Sequence, residues 1–247
     1  MLEYFERVTN ARSVEEVWSY LVAEMKTFGF DRLIYGYTRY NTATSIGDLQ
    51  DVLLLSTQSP QYMDSFIGAG LYWHAPMVKW VRENVGACSW RWMEENCANF
   101  STEERKVLEF NKKMNVVAGY SIAFPEVSAR SKGAIALTAR PGMTQDDVDA
   151  VWAEHGREIM LMNQVAHMAM TALPQVAAPR ALTQRQREAL QWVGDGKTMQ
   201  DIALLMGLTA ATVEKHLRKA REALDAETTA QAVLKAKMIN QIYVLES

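Results

Sequence analysis

Cysteine and histidine are scarce in this chain: Cys88, Cys97, His74, His155, His167 and His216 are the only six among 247 residues. None stands at an H-x-x-x-H or H-E-x-x-H spacing and no histidine neighbours a cysteine, so no metal site is expected. The two cysteines read most simply as reduced thiols in a reducing compartment, with a redox pair as the alternative. Long apolar runs are missing as well. No stretch approaches the ~18 residues of a membrane span, and the opening MLEYFERVTN is charged and amphipathic rather than signal-like, so a cytoplasmic protein without a membrane partner is expected. A nucleophile elbow, a Gly-rich phosphate loop and a paired-carboxylate constellation are absent too, so no enzyme, no catalytic residue and no cofactor are expected. The net charge is only −3 and would not by itself suggest nucleic acid.

What is present concentrates at the C-terminal end. Residues 182–224, LTQRQREALQWVGDGKTMQDIALLMGLTAATVEKHLRKAREAL, read as three helices separated by two tight breaks. Thr183 with Gln186 three residues on forms a capping box that opens the first helix. Gly194-Asp195-Gly196 stops it, Thr198 caps a short second helix ended by Gly207, and Thr209 caps the third. Val213, Leu217, Ala220 and Leu224 then recur as one apolar stripe. The opposite face carries Ala210, Ala211, Glu214, Lys215, Arg218 and Arg221, small at the leading turn and basic beyond it, as suits a major groove. Arg218 and Lys215 are candidates for guanine O6/N7 and Glu214 for cytosine N4, whereas Lys219, Lys197 and Arg185 suit phosphates. Thr198, Thr209 and Thr212 complete the candidate DNA-contacting set. From residue 180 onward ten Lys/Arg oppose eight Asp/Glu, a net of +2, against 16 and 21, or −5, before it. The basic balance therefore sits where DNA would bind.

This stretch is similar to the four-helix DNA-binding domain of the LuxR family of transcriptional regulators. Thr212, Val213 and His216 match the family's Thr-Val-x-x-His signature, and Gly196-Lys197-Thr198 its Gly-Lys-Thr turn. Gln186 departs from the family's usual Glu, and either residue closes a capping box. The resemblance implies a fourth helix at about 228–239, with Ala230, Val233, Leu234 and Met238 on one side, that helps pair two such domains.

Residues 1–171 alternate helix and strand signals. Helices are predicted over 13–28, 60–68, 76–84, 101–115 and 144–170, and strands over 33–40, 52–56, 118–124 and 134–139, with a polar turn over 125–133. The order implies a two-domain α+β protein: an N-terminal α/β/α sandwich with an antiparallel sheet over 1–171, a Pro/Ala linker over 172–181, and an all-α helix-turn-helix domain over 182–247. A phosphoacceptor receiver domain is excluded, because the chain opens with a helix and its strands are aromatic and nearly uncharged. The order resembles instead the autoinducer-binding domain of the LuxR family.

That resemblance implies ligand residues. With Pro76 and Trp90 as fixed points, Gln58, Tyr62, Phe66, Ala75, Trp90 and Gly119 stand where the family has Tyr, Trp, Tyr, Asp, Trp and Gly. In the family the Trp matched by Tyr62 holds the lactone carbonyl of an acyl-homoserine lactone, the Asp matched by Ala75 its amide N–H, and the Tyr matched by Gln58 its acyl carbonyl. The packing residues are kept and the polar ones are not, so a different polar head is expected. Tyr35, Tyr37, His74, Ser121 and Thr138 are further candidates, and the same aromatics could instead fill an ordinary core. The whole implies a homodimeric regulator binding an inverted repeat in double-stranded DNA, with RNA polymerase a candidate partner, controlled by an acyl-homoserine lactone or another apolar signal. The alternative is a ligand-independent regulator whose N-terminal domain is only a dimerisation platform.

Overall fold

The computed structural model describes residues 1–42, 45–174 and 181–243, so most of the linker expected over 172–181 lies outside the described residues. The chain forms two compact units, one of Met1–Ala11 and Glu15–Ala169, the other of Arg12–Val14 and Met170–Ser247.

In the first unit α1 (Leu2–Asn10) and α2 (Val14–Thr27) lead into β1 (Phe30–Thr38), followed by β2 (Leu53–Ser56), α3 (Pro60–Met63), α4 (Pro76–Glu83), β3 (Gly86–Ser89), α5 (Arg91–Asn96), α6 (Thr102–Lys113), β4 (Gly119–Ala123), β5 (Lys132–Ala139) and α7 (Gln145–Ala172). The strands make one antiparallel sheet in the order β2-β1-β5-β4-β3. Strand periodicity then sorts the side chains. Leu33, Tyr35 and Tyr37 of β1 alternate with Ile34, Gly36 and Thr38, and Ile135 and Leu137 of β5 with Ala134, Ala136 and Thr138. The face bearing Tyr35, Tyr120 and Phe124 packs on α7: Tyr120 stacks on Trp152 at 3.8 Å between ring centroids and Phe124 on His167 at 4.2 Å. Helix α1 joins that layer through Tyr4, whose hydroxyl donates to Met162 O at 3.0 Å. The other face lies under α3, α4 and α6. The α/β/α sandwich expected from the sequence is therefore present.

Three elements escaped the sequence reading. Helix α1 anchors itself by only two buried residues, Tyr4 and Val8, one turn apart. β3 is Gly-Ala-Cys-Ser, poor in strand formers, and exists by pairing Cys88 with Ser121 of β4. Helix α5 is only six residues long. The segment after α3 continues as a π-helical turn over Asp64–Gly68. A capping box of Ser101 and Glu104 opens α6.

The second unit holds α8 (Gln184–Gly194), α9 (Met199–Met206), α10 (Ala210–Ala223) and α11 (Thr229–Met238). Thr183 and Gln186 close the expected capping box, Thr198 closes another with Asp201, and Gly207 ends α9 in the left-handed conformation at φ 64°. Val213, Leu217, Ala220 and Leu224 are buried with Leu190, Ile202 and Met206. The expected fourth helix is present as α11; its buried stripe is Ala232 and Ala236, and Leu234, on the side expected to pair two domains, is 57% exposed. Small residues one turn apart let α11 lie close against α8 and α10, which turns Ala230 and Leu234 outward.

Candidate functional site

On the α3/α4/α6 side of the sheet lies a cavity of about 180 Å³. That is over ten times the roughly 10–15 Å³ a single water requires, so it is room for a ligand and not a packing defect. Its floor is the sheet face bearing Ile34, Gly36, Ala134, Ala136, Ser121 and Thr138, and its walls include Leu54, Phe66, Val78, Val81, Met93 and Val116. Glycine and alanine on the floor are what leave the space, since larger side chains there would fill it.

The polar groups of the wall are few and mutually tied. Tyr62 donates to Asn111 Oδ1 at 2.9 Å, and burial pushes its phenol pKa well up, so it remains a neutral donor. Trp90 Nε1 donates to Ser121 Oγ at 3.0 Å, and Gln58 Nε2 to Thr138 Oγ1 at 3.3 Å. Ala75 is buried in the wall just before Pro76.

Of the candidate ligand residues, Gln58, Tyr62, Phe66, Ala75, Trp90, Ser121 and Thr138 come together at this cavity. Tyr37 also borders it, while its ring stands edge-on to His167 at 5.6 Å. Three candidates are corrected. Tyr35 lies on the α7 face with its hydroxyl 2.9 Å from His167 Nδ1, because strand alternation turns it away from the floor. His74 is exposed and borders a separate surface cleft with Trp73 and Lys79. Gly119 acts through its lack of a side chain: a Cβ there would stand 2.2 Å from Leu137 O and 3.1 Å from the Trp90 ring.

Trp90 is held from behind. Gly119 O accepts from Trp90 N at 3.1 Å and from Gln145 Nε2 at 3.3 Å. Asp149 of α7 accepts from Ser89 Oγ at 2.7 Å, Gln145 Nε2 at 2.9 Å and Arg91 Nε at 2.8 Å, and Arg91 also pairs with Asp146. Burial alone would raise the Asp149 pKa, but hydrogen bonds from Ser89, Gln145 and Arg91 outweigh it and hold the carboxyl below the ordinary range. The start of α7 is thus bolted to the loop that carries the Trp90 wall.

Sequence reasoning missed Asn111, Arg82 and Lys132. Asn111 follows Val107 by one turn of α6, so a polar residue on the buried stripe was its signal. Lys132 begins the alternation Lys132, Ala134, Ala136, Thr138.

In the second unit the expected reading face of α10 is open. Ala211, Glu214, Lys215, Arg218 and Lys219 are exposed, as are Lys197, Thr198 and Thr209, and Thr212 is half-buried. Two charged side chains have internal partners: Arg218 donates to Glu222 at 2.6 Å and Arg221 to Glu214 at 3.0 Å. The Arg218–Glu222 pair is solvent-exposed and cheap to exchange for other partners, whereas Arg221 is half-buried and also donates to Thr229 Oγ1 at 2.8 Å.

Residues 13–170 match the family described as autoinducer binding domain, and residues 178–224 match sigma-70, region 4. The chain is 23% identical over 194 residues to the transcriptional activator LuxR of Aliivibrio fischeri, covering 78% of this chain and 76% of that protein. It is 35% identical over 107 residues to the quorum sensing-dependent regulator RpaR of Rhodopseudomonas palustris, covering 42% and 44%. Among solved structures, Escherichia coli SdiA aligns with a TM-score of 0.53 at 16% identity over 97% of this chain and 95% of SdiA. SdiA in complex with octanoyl-rac-glycerol aligns with a TM-score of 0.51 at 14% identity over 98% and 95%.

Proposed function

Since the chain belongs to the LuxR-type family of autoinducer-binding transcriptional regulators, we propose that the cavity between the sheet and α3, α4 and α6 holds its signal, and that the signal is not a standard acyl-homoserine lactone. The observation that carries this is Ala75: an amide N–H buried opposite a methyl group loses its acceptor, which costs on the order of 1–3 kcal/mol, or one to two decades of affinity. A cavity lined by Phe66, Val78, Val81 and Met93 suits an acyl chain. SdiA with octanoyl-rac-glycerol offers a precedent for an acylated ligand without an amide.

On the DNA side, Arg218 and Lys215 reach guanine edges, Glu214 reaches cytosine N4, and Lys197 and Lys219 hold phosphates, with Thr198, Thr209, Ala211 and Thr212 at the leading turns. Two copies bind an inverted repeat as a cytoplasmic homodimer, with half-sites about one helical turn, or ~10 base pairs, apart. A ligand-independent platform is the second reading, and an open 180 Å³ cavity speaks against it, since self-filling would have closed that space.

The test is the melting temperature of the full chain and of Ala75→Asp against a panel of acyl-homoserine lactones. The parent is expected to show no shift at micromolar lactone, and Ala75→Asp to gain one. A parent already stabilised by a lactone at sub-micromolar concentration would overturn the reading of Ala75. An Ala75→Asp protein that only melts earlier, with no response, would mean that the buried carboxylate finds no lactone partner and that the cavity is not lactone-shaped.

A further inference from the structure

Among the described residues that line the cavity, two are charged, and both are cations: Arg82 near the end of α4 and Lys132 at the start of β5. No Asp or Glu is among the described residues that line it. The two cations belong to one end of the space. Lys132 Nζ donates to Asn84 O, the residue that follows α4, at 2.8 Å, and Arg82, two residues earlier, donates to Thr42 O at 3.2 Å. Both are half-buried, and burial lowers the Lys132 pKa despite the opposing pull of Glu126. Glu126 is itself engaged 3.2 Å from His167 Nε2, beyond Gly133 and so on the α7 face of the sheet. Lys132 points to the cavity face with Ala134, Ala136 and Thr138.

The remaining polar wall groups are engaged in a matching way. The side-chain oxygens of Asn111, Ser121 and Thr138 each already accept a hydrogen bond from a neighbour. An anion at the other end of the space finds the Lys132 ammonium, which donates to the neutral carbonyl of Asn84, and close to it the Arg82 guanidinium, which donates to Thr42 O. An anion replacing a neutral carbonyl on a half-buried cation adds charge–charge attraction to a hydrogen bond in which only the donor was charged.

We propose that the cavity takes an amphipathic ligand with an anionic terminus, a medium-chain carboxylate in its simplest form, with Lys132 and Arg82 holding the carboxylate and the apolar wall holding the chain. This rests on the reading of the cavity as the signal site. The rival role for both cations is to neutralise the carbonyl end of α4, which needs no ligand.

The experiment measures binding of dodecanoate and of methyl dodecanoate, both below micelle formation, to the full chain and to Lys132→Met and Arg82→Gln, by calorimetry and thermal shift. Dodecanoate should bind at least tenfold more tightly than its methyl ester. Lys132→Met should erase most of that preference while leaving ester binding within about twofold, and Arg82→Gln should do the same if Lys132→Met folds poorly. Ester binding equal to or tighter than that of the acid, or a variant that weakens both alike, overturns the anionic terminus but leaves the cavity as an acyl site. Absence of binding by either compound overturns the cavity reading itself and this inference with it.

Discussion

At Gly119 a single hydrogen atom decides the shape of the cavity wall. Leu137 O and the Trp90 ring converge on the space where a side chain would begin, and the carbonyl 2.2 Å from that point belongs to the sheet and cannot step aside. Gly119→Ala must therefore push β4 away from β5 or tilt Trp90. The expected cost is about 3 kcal/mol, at the upper end of overpacking, which lowers the melting temperature by roughly 6–12 °C for a domain of this size. A thermal melt unchanged to within 2 °C would show that the strands spread freely there. Gly119 was recognisable in the sequence through its match to a family position, but its reason was not. Close approach to Leu137 is a property of strand pairing over 18 positions of chain, which no local pattern carries. Tyr35 failed for the same reason in reverse: its aromatic character was plain, but which face of β1 looked onto the cavity depended on where α7 came to lie.

The elements that matter most are α7 and the β3–α5 loop it grips. Asp149 gathers donors from Ser89, Gln145 and Arg91, and its pKa sits below that of an unfolded aspartate. A carboxylate with a lowered folded pKa adds stability at pH above the ordinary aspartate range and loses that contribution as pH falls through its lowered value. Asp149→Asn should thus destabilise the protein at pH 7 by about 1.5–3 kcal/mol, the worth of charge-assisted hydrogen bonds. The gap between parent and variant should shrink as the pH is taken below 4, and urea titrations at pH 7 and pH 3.5 read it directly. A difference that is constant with pH would assign the effect to packing. Nothing in the sequence marked this clamp, because Asp149 sits in an ordinary helical pattern and two of its three partners, Ser89 and Arg91, lie about 60 residues away. The caps of α6, α8, α9 and α10 were legible for the opposite reason, each being a contact between residues three apart. In α11 the apolar side with Leu234 was visible, while the close packing of Ala232 and Ala236 against the other helices carried no local mark.

At the scale of the whole molecule, a largely apolar cavity and a helix-turn-helix with an open basic face occupy one chain. Regulation requires a free-energy coupling between them, and such couplings commonly run to 1–3 kcal/mol, or about 5–150-fold in affinity, acting equally in both directions. No helix among the described residues is long and apolar enough to cross a membrane. The direct test starts from duplexes enriched out of a random pool by the purified full chain, with Arg218→Ala as the variant that should lose the enriched sequence while keeping its fold. The protein is then denatured, its small molecules are extracted, and it is refolded with and without its own extract before its affinity for the enriched duplex is measured by fluorescence anisotropy. An inverted repeat and at least a fivefold change in affinity when the extract is restored are expected. The same affinity with and without the extract would contradict that coupling.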